Sequence, residues 1–406
     1  MELSDIAEYV TERVNSKSIT LNQYVTTDSL LQNKRGRQTA QNLPPMTCAL
    51  TRYCKGDILI SNIRPYLKKI WLADSDGGCS TDILAFRAKN GHSPNYLYAL
   101  LMQDAFFQYM MQGSKGSKMP RGDKNQIMHY SVPTFSSFEE ENIGNIIVNI
   151  ERKIALNRQI NDNLEAMARQ LYDYWFVQFD FPDEEGKPYK SSGGVMVWND
   201  KLKREIPQGV DAKKIGDIEN NIITGKTPSC ADKDNFGGDI PFVTIDDIRG
   251  NLFVFEAQRT LSIKGADSQE KKYLPIGSLS VSCIGTIGIM GFVARLAQTN
   301  QQINSIVFEH EYNKEFLYFS LRLYFENAKA KTGNVFANMS KEEFASIIVA
   351  YPPMQTLQAF HNKVAPIFDS IKNNIEEINT LTKQRDELLP LLMNGQASVN
   401  YHLSAC

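Results

Sequence analysis

The stretch that decides the fold occurs twice, as PFVTIDDIRG at residues 241–250 and as YVTTDSLL at residues 24–31. The tripeptide FVT of one copy matches YVT of the other, 218 residues earlier, and in both an aspartate stands two positions after the threonine. Two apolar residues followed by a threonine and an acid predict a short strand that runs into a turn. The same fragment at such a distance predicts an internal duplication.

Other fragments repeat in the same order, at an offset that stays near 220 residues. GDILISNIRP from Gly56 resembles GSLSVSCIGT from Gly277, and NYLYALL from Asn95 resembles EFLYFSL from Glu315. The first pair alternates and is rich in branched residues, which predicts strands, whereas the second pair has helical spacing. We therefore predict two copies of one mixed α/β domain.

Each copy is followed by a heptad-like pattern that predicts a long helix, over residues 140–176 and 355–393. Apolar residues recur at spacings of three and four, and polar residues such as Asn157, Asn374 and Arg385 interrupt the stripe. Several heptads favour a coiled coil, and at 1.5 Å per residue each helix would extend ~50 Å. Two core helices of ordinary domains are the alternative, which the length of both patterns opposes.

The order of the segments predicts how the helices run if they pair. The first helix leads from the first copy to the second, and the second helix follows the second copy, so the pair would be antiparallel with a domain at each end. The predicted fold class is α+β, with two similar mixed α/β domains separated by a pair of long antiparallel coiled-coil helices in a pseudo-twofold arrangement.

The boundaries follow from these patterns. Between the first helix and the second copy, Pro, Gly, Ser and charged residues predict a solvated linker. The expected segments are a first domain over 1–137, a first coiled-coil helix over 138–177, the linker over 178–210, a second domain over 211–354, a second helix over 355–395 and a tail over 396–406.

The composition and the N-terminal sequence predict a globular, cytoplasmic protein. The 406 residues carry a net charge of −2 with 42% hydrophobic residues, so no global charge points to a nucleic-acid partner. The start, MELSDIAEYV, lacks the pattern of a signal peptide, and no run of ~18 apolar residues predicts a membrane span. The six cysteines show no CxxC spacing, which favours buried reduced thiols over a metal site.

Fragments that resemble catalytic motifs lack a necessary part. GKT at Gly225 has no glycine five residues earlier, as a phosphate-binding loop requires, and GTIGIMG at Gly285 does not have the dinucleotide-binding spacing. The acids of FPDEEGK at Phe181 lie close together in the linker, which does not suit a metal nuclease. We predict no catalytic residue and no metal ligand, and hence a binding function. The opposing hypothesis, a stand-alone methyltransferase or nuclease, would require turnover by the pure chain.

Loops with basic or amide-rich sequences remain as candidates for function. Arg, Asn and Gln are the residue types that read base edges, and Lys and Ser side chains bind phosphates. Each loop alone could be an ordinary solvated turn, but basic loops of the first copy stand where the second copy has amide-rich loops. The candidate DNA-binding residues are Ser61, Arg64, Tyr66, Lys68, Lys69, Lys115, Lys118 and Arg121 in the first copy, and Lys226, Thr227, Ser282, Thr286, Asn300, Gln301, Gln302 and Asn334 in the second.

Nearly the whole chain resembles the specificity subunit of type I restriction-modification enzymes. The resemblance is carried by ARQLYDYWFVQFDFP from Ala168, IPQGV from Ile206, GKTPS from Gly225, TNQQIN from Thr299 and KQRDELLPLLMNGQ from Lys383. It implies two target-recognition domains, each of which reads half of a bipartite, asymmetric site in double-stranded DNA. It also implies that the helices space the halves and dock two methyltransferase subunits, which restriction subunits then join.

The resemblance assigns the chemistry to those partners. It implies that S-adenosylmethionine, ATP and Mg²⁺ belong to the other subunits and that this chain binds no cofactor. The aromatic residues Tyr174, Trp175 and Phe176 are candidates for partner binding, although packing in the core is the alternative. A different class of function stays open, namely a coiled-coil scaffold with two protein-binding domains.

The first copy departs from the family pattern. It begins at Glu2 with nothing that matches the REIPQGVDAK preceding the second copy, and it has no GKTPS. The expected DNA contacts of the first copy therefore depend on Arg64, Tyr66, Lys118 and Arg121.

Overall fold

The computed structural model describes residues 1–116, 118–332 and 338–397, with the backbone alone at residues 331 and 332. The chain divides into two compact units. Unit 1 comprises Met1–Asn157 and Glu377–Cys406, and unit 2 comprises Arg158–Glu376. Each unit therefore holds one copy of the repeat and a part of each long helix.

Unit 1 contains two four-stranded sheets, with the orders β1-β8-β5-β6 and β2-β4-β7-β3. Its strands are β1 (Ala7–Tyr9), β2 (Arg13–Asn15), β3 (Tyr24–Val25), β4 (Ala49–Tyr53), β5 (Ile58–Ser61), β6 (Ile70–Leu72), β7 (Gly77–Cys79) and β8 (Ile83–Ala88). Its helices are α1 (Leu3–Ile6), α2 (Pro94–Leu101), α3 (Asp104–Gln112), α4 (Lys124–Met128) and the first part of α5 (Ser137–Tyr172).

Unit 2 has the strands β9 (Met196–Asn199), β10 (Arg204–Pro207), β11 (Asp211–Lys214), β12 (Ile222–Thr224), β13 (Phe236–Val243), β14 (Phe253–Val254), β15 (Thr260–Leu261), β16 (Leu279–Ser282), β17 (Met290–Val293), β18 (Gln298–Thr299), β19 (Ile303–Ile306) and β20 (Ile348–Tyr351). Its helices are α6 (Ile215–Ile218), α7 (Ile245–Ile248), α8 (Ile263–Asp267), α9 (Lys314–Thr332), α10 (Lys341–Ala345) and the first part of α11 (Met354–Met393). The largest sheet has the order β12-β19-β16-β17-β14.

The repeated fragment forms the same structure in both units. Val25 in β3 pairs in parallel with Cys79 in β7, and Val243 in β13 pairs in parallel with Thr299 in β18. The order β1-β8-β5-β6 of unit 1 recurs in unit 2 as β12-β19-β16-β17. The internal duplication predicted from the sequence is therefore confirmed strand by strand.

The central strands β5 and β16 are buried along their whole length. Both faces of the sheet are covered at these strands. The alternating sequence pattern of β5 and β16 therefore does not correspond to one buried and one solvent-exposed face. In unit 2 the polar side chains on this sheet bond to each other, as Ser280 and Ser305 do at 2.9 Å between their hydroxyl oxygens. Such pairing offsets the cost of burying a hydroxyl group.

Helices α5 and α11 run antiparallel within each unit. In unit 1, Arg385 Nη1 donates to Glu151 Oε1 at 2.5 Å, and Asn157 Nδ2 donates to Glu377 Oε2 at 2.7 Å. As residue numbers rise along α5 they fall along α11, so the prediction of antiparallel helices is confirmed.

Each polar residue that interrupts the heptads binds a polar side chain of the other helix. In unit 2, Asn374 Nδ2 donates to Asn161 Oδ1 at 2.8 Å. Asn157 is 2% exposed and Arg385 is 4% exposed, so a shifted register would leave buried polar groups without partners. Polar pairs in a coiled-coil seam thus specify register at some cost in stability.

The prediction that residues 178–210 form a solvated linker is wrong, because this segment folds as part of unit 2. Strands β9 and β10 form a hairpin, and Phe179, Ile206 and Val210 make a buried cluster against Ala350. The Phe181 ring stacks on Tyr189 at 5.0 Å and joins the main core of this unit. The polar composition concealed a few apolar side chains that are sufficient to fix the segment.

The predicted ends of the long helices lie close to the ends in the structure. The first helix is α-helical to Tyr172 and continues as one π-helical turn over Asp173–Val177, and the second extends over Met354–Met393. Of the predicted tail, Ala397 packs against the core of unit 1, and residues 398–406 lie outside the described part of the chain. No helix among the described residues has the length and apolar content needed to cross a membrane.

We predict a pH-dependent contribution to stability from His361 on α11, whose Nδ1 lies 2.6 Å from Glu315 Oε2. The hydrogen bond to Glu315 raises the pKa of His361; burial and Lys314 oppose the rise, whereas the charges of Glu315 and Glu311 add to it. The stabilisation should be complete below about pH 6.5 and lost as pH rises through the raised pKa. Thermal unfolding of the wild type and H361Q between pH 5.5 and 9 measures it. If the unfolding temperatures of the two proteins change with pH in the same way, the hydrogen bond between His361 and Glu315 does not make this contribution.

Candidate nucleic-acid interface

Three loops of unit 1 meet at the ends of its strands. They comprise residues 61–69, residues 79–83 and, in the third loop, residues 113–116 and 118–123, and we name them loop cluster 1. The Arg64 N–H donates to the carbonyl of Pro120 at 2.8 Å, and Ile63 forms a bridge with Arg121. The Asn62 N–H donates to the carbonyl of Asp82 at 2.9 Å. The two basic loops identified in the sequence are therefore joined through their backbones.

Some of the candidate side chains in loop cluster 1 are free to bind a ligand. Arg64 and Lys118 are exposed and Tyr66 is 51% exposed. Within the described part of the chain, none of the three side chains forms an ion pair or a hydrogen bond. A guanidinium, an ammonium and an aromatic ring thus face solvent on neighbouring loops.

The other cations of loop cluster 1 have acidic or carbonyl partners. The ammonium of Lys115 lies 3.0 Å from Asp123, and the guanidinium of Arg121 lies 3.1 Å from Asp82. These pairs are exposed, so exchanging the carboxylate for a DNA phosphate would cost little.

Two further lysines are partnered within the fold. Lys68 forms an ion pair with Asp104 at 2.7 Å. Lys69 donates to the carbonyl of Thr27, and burial lowers the pKa of Lys69. These two cations lie close to Arg64 but are already engaged by the chain itself.

The backbone of the first basic loop is held in an unfavourable conformation. Arg64 and Lys68 flank a 3₁₀ turn over Pro65–Leu67, with φ values of 53° and 50°. Left-handed residues with side chains cost of the order of 1–3 kcal/mol each and persist where surrounding contacts hold them. The turn therefore presents Arg64 and Tyr66 in a defined orientation.

Three loops of unit 2 meet in the same way. They comprise residues 225–229, 283–289 and 299–304, and together with Asn338, which forms a bridge with Ile284, we name them loop cluster 2. The Lys226 N–H donates to the carbonyl of Thr299 at 2.9 Å, and Thr227 Oγ1 donates to Gln301 Oε1 at 2.8 Å. A Cβ atom on Gly225 would lie 2.2 Å from the carbonyl oxygen of Asn300. This close approach explains why GKTPS begins with glycine.

Two of the connections correspond between the clusters. The Cys283 N–H donates to the carbonyl of Gln302 at 2.7 Å, as Asn62 does to Asp82 in unit 1. Ile284 forms a bridge with Asn338, as Ile63 does with Arg121. The same backbone framework therefore presents different side chains in the two units.

The polar side chains of loop cluster 2 divide into an exposed group and a half-buried group. Lys226, Thr286 and Gln301 are exposed. Asn300 and Gln302 are half-buried, and Asn300 Nδ2 donates to Gln302 Oε1 at 3.0 Å. Asn334 lies outside the described residues.

The prediction that Ser61 and Ser282 bind DNA is wrong, because both side chains are buried. They end the equivalent strands β5 and β16 and are 2% and 0% exposed. Ser61 Oγ donates to the carbonyl of Ile63 at 3.0 Å, and Ser282 Oγ donates to the carbonyl of Thr286 at 2.6 Å. Their hydroxyl groups shape the loops and have no surface to offer to DNA.

The predicted partner-binding set also requires correction. Trp175 and Phe176 are 3% and 4% exposed and belong to the core of unit 2. The Phe176 ring lies 4.9 Å from the ring of Phe360 and 5.1 Å from that of Phe316. The π-helical turn directs these two rings inward, whereas Tyr174 remains 38% exposed.

The sequence analysis missed two residues in these clusters. Asp82 occupies the position in loop cluster 1 that Gln302 has in loop cluster 2, and Asn338 corresponds to Arg121. Both follow from the internal repeat once the two copies are compared position by position. Carboxylate and amide side chains at these positions can accept from or donate to base edges.

The described residues contain no group of three or more potential metal ligands. Residues 1–166 and 207–387 match the model of the type I restriction modification DNA specificity domain. The chain belongs to this family. The family predicted from the sequence is therefore confirmed, and the two matched regions agree with the duplication seen in the structure.

Named relatives agree with this membership. The chain is 29% identical to the type I restriction enzyme HindI specificity subunit of Haemophilus influenzae, over 97% of this chain and 98% of the relative. It is 25% identical to the MjaIX specificity subunit of Methanocaldococcus jannaschii, over 90% and 83% of the two chains. The crystal structure of a type I restriction-modification S subunit from M. genitalium shares the fold, with a TM-score of 0.60 and 13% identity over 97% and 95%.

We predict that G225A disrupts loop cluster 2. The new Cβ would also lie 2.3 Å from Thr299 Oγ1, so both loops must move. Overpacking of this kind costs about 1–3 kcal/mol of unfolding free energy, which chemical denaturation measures. S229A, an exposed change in the same loop, is the control and should stay within ~0.5 kcal/mol of the wild type. Equal stabilities of G225A and S229A would show that the contact is not tight.

Proposed function

We propose that this chain is the DNA-reading subunit of a type I restriction-modification complex, in which each loop cluster reads one half of a bipartite, asymmetric site. The observation that supports this most is the shared framework of the clusters. Ile63 meets Arg121 in one unit and Ile284 meets Asn338 in the other. One scaffold that carries cations in one copy and amides in the other suits two different half-sites.

The side chains of loop cluster 1 suit guanine and the phosphates. Arg64 has five donors in a planar fork, which matches the O6 and N7 acceptors of guanine. Lys115, Lys118 and Arg121 would bind the backbone on either side, where cations position a protein without reading sequence. Tyr66 would pack its exposed ring against the sugar or base.

The side chains of loop cluster 2 suit adenine. Gln301 is exposed, and its amide can donate to N7 and accept from N6 of adenine. The side chains of Gln302 and Asn300 would support it, and Thr227, whose hydroxyl group donates to Gln301 Oε1, would orient it. Lys226 and Thr286 would bind phosphates. This unit therefore depends on neutral hydrogen bonds more than unit 1 does.

The recognition domains that we propose comprise residues 1–137 and 211–354, and the folded segment 178–210 extends the second of them toward its N-terminal side. The helices α5 and α11 would space the two half-sites and dock two methyltransferase subunits. S-adenosylmethionine would belong to those subunits, and ATP and Mg²⁺ to restriction subunits that join them. The buried polar pairs of the helices support a spacing role because they specify one register.

Salt dependence tests the proposal against a protein-binding scaffold. We expect the chain reconstituted with methyltransferase subunits to bind its target duplex with an affinity that falls steeply with salt, by ~10³-fold or more between 50 and 200 mM for six or more phosphate contacts. A scrambled duplex of equal length is the control. Binding that is absent, or that does not differ between the two duplexes, would favour the scaffold.

We predict that R64A and Q301A each relax recognition of one half-site. Loss of one bidentate contact should reduce discrimination at that base by about 1–3 kcal/mol, since the wrong base then binds nearly as well. Adenine methylation in cells that carry each variant, mapped by long-read sequencing, measures both halves at once.

K118A is the matched control for these substitutions. It should weaken binding of all duplexes together and reduce the salt slope by about one, because a phosphate contact carries no sequence information. Unchanged recognition of both halves in R64A and Q301A would falsify the assignment of these residues.

A further inference from the structure

The segment NKRGRQ, residues 33–38, supports the first basic loop of loop cluster 1. The Asn33 N–H donates to the carbonyl of Leu67 at 2.9 Å, and the Lys34 N–H donates to the carbonyl of Lys68 at 2.8 Å. These carbonyls belong to the turn that follows Arg64. The segment therefore lies directly behind the residues that we assign to base reading.

Both sides of this contact have unusual backbone conformations. Six residues other than glycine have a positive φ among the described residues, and four of them lie here. They are Asn33 (56°), Lys34 (60°), Arg64 (53°) and Lys68 (50°). Residues with side chains seldom adopt this region, so the four must be held there by their surroundings.

The side chain of Lys34 completes the support. It is 7% exposed, and its Nζ lies 2.8 Å from Asp104 Oδ1, while Asp104 Oδ2 lies 2.7 Å from Lys68 Nζ. One carboxylate thus joins the buried lysine to the end of the recognition loop. Partial burial alone would raise the pKa of Asp104, but the two ammonium groups outweigh it and hold that pKa below its ordinary value.

The same ammonium group also faces helix α11. Lys34 Nζ lies 3.7 Å from Asp386 Oδ1. The neighbouring Arg385 binds this carboxylate at 2.8 Å and donates to Glu151 on α5. Within unit 1, a continuous series of ion pairs therefore connects the helix pair to the loop that presents Arg64 and Tyr66.

We propose that Lys34 is a positioning residue for sequence recognition, which holds the Arg64–Tyr66 turn through Asp104 and fixes it against the helix pair through Asp386. This inference rests on the proposed function of loop cluster 1. It concerns unit 1 alone, because the position 218 residues later is Leu252, which packs in the core of unit 2. Lys34 should therefore affect one half-site and leave the other unchanged.

The test uses the complete reconstituted complex and variants K34M, K34R and D104N. Methylation rates are measured on duplexes with single base changes in either half of the target found for the wild type. We expect K34M and D104N to lose about ten-fold in discrimination at the half-site that R64A affects, comparable to one misplaced bidentate contact, with no change at the other half. K34R, which keeps the cation, should restore most of the discrimination.

R87M is the matched control for loss of stability. Arg87 binds Asp57 at 2.8 Å and Glu12 at 2.6 Å in unit 1, away from these loops. We expect R87M to lower the unfolding temperature and keep wild-type discrimination at both halves. If K34M does not fold, D104N still decides, because asparagine keeps an acceptor oxygen for Lys34 Nζ, which also lies 3.7 Å from Asp386 Oδ1.

The possible failures can be distinguished. Wild-type discrimination in both K34M and D104N, with an effect of R64A at one half, overturns the positioning role and leaves the proposed function intact. Equal losses at both halves also overturn it, because a general loss of folding has that result. No effect of R64A at either half overturns the assignment of Arg64 and with it the positioning role. The proposed function itself fails only if the wild type does not distinguish its target from a scrambled duplex.

Discussion

A parallel strand pairing only two residues long is the constraint on which each unit depends. Val25 pairs with Cys79 and Val243 with Thr299, and in both units the next N–H, of Ser80 or Asn300, donates back to the valine carbonyl. This bond ends the partner strand and starts the turn that enters the loops of each cluster. Because the pairing involves backbone groups, the side chains that follow are free to differ.

This separation of framework and side chains gives the fold its use in recognition. Backbone bonds join the loops of each cluster, as between Arg64 and Pro120 or between Lys226 and Thr299. Side chains such as Arg64 and Gln301 can then change without loss of the framework. Such independence allows members of one family to differ in specificity, because the specificity lies in the loop side chains and the stability lies in the backbone framework.

The buried charges and amides have a different purpose from the exposed ones. Asn157, Arg385 and Lys34 are largely buried, and each binds a specific partner. Replacing such groups with apolar residues often increases stability, so their presence favours a role in register and orientation. Exposed pairs such as Lys115 with Asp123 cost little to break and remain available to phosphates.

The sequence alone determined the duplication, the two long helices and their antiparallel direction, because each of these follows from local periodicity or from the order of the repeated segments. It did not determine which polar residues are accessible: Ser61, Ser282, Trp175 and Phe176 are buried. Nor did it show that residues 178–210 fold. Burial and ion pairing depend on side chains far apart in sequence, as Lys34, Asp104 and Asp386 are, and only tertiary packing brings such groups together.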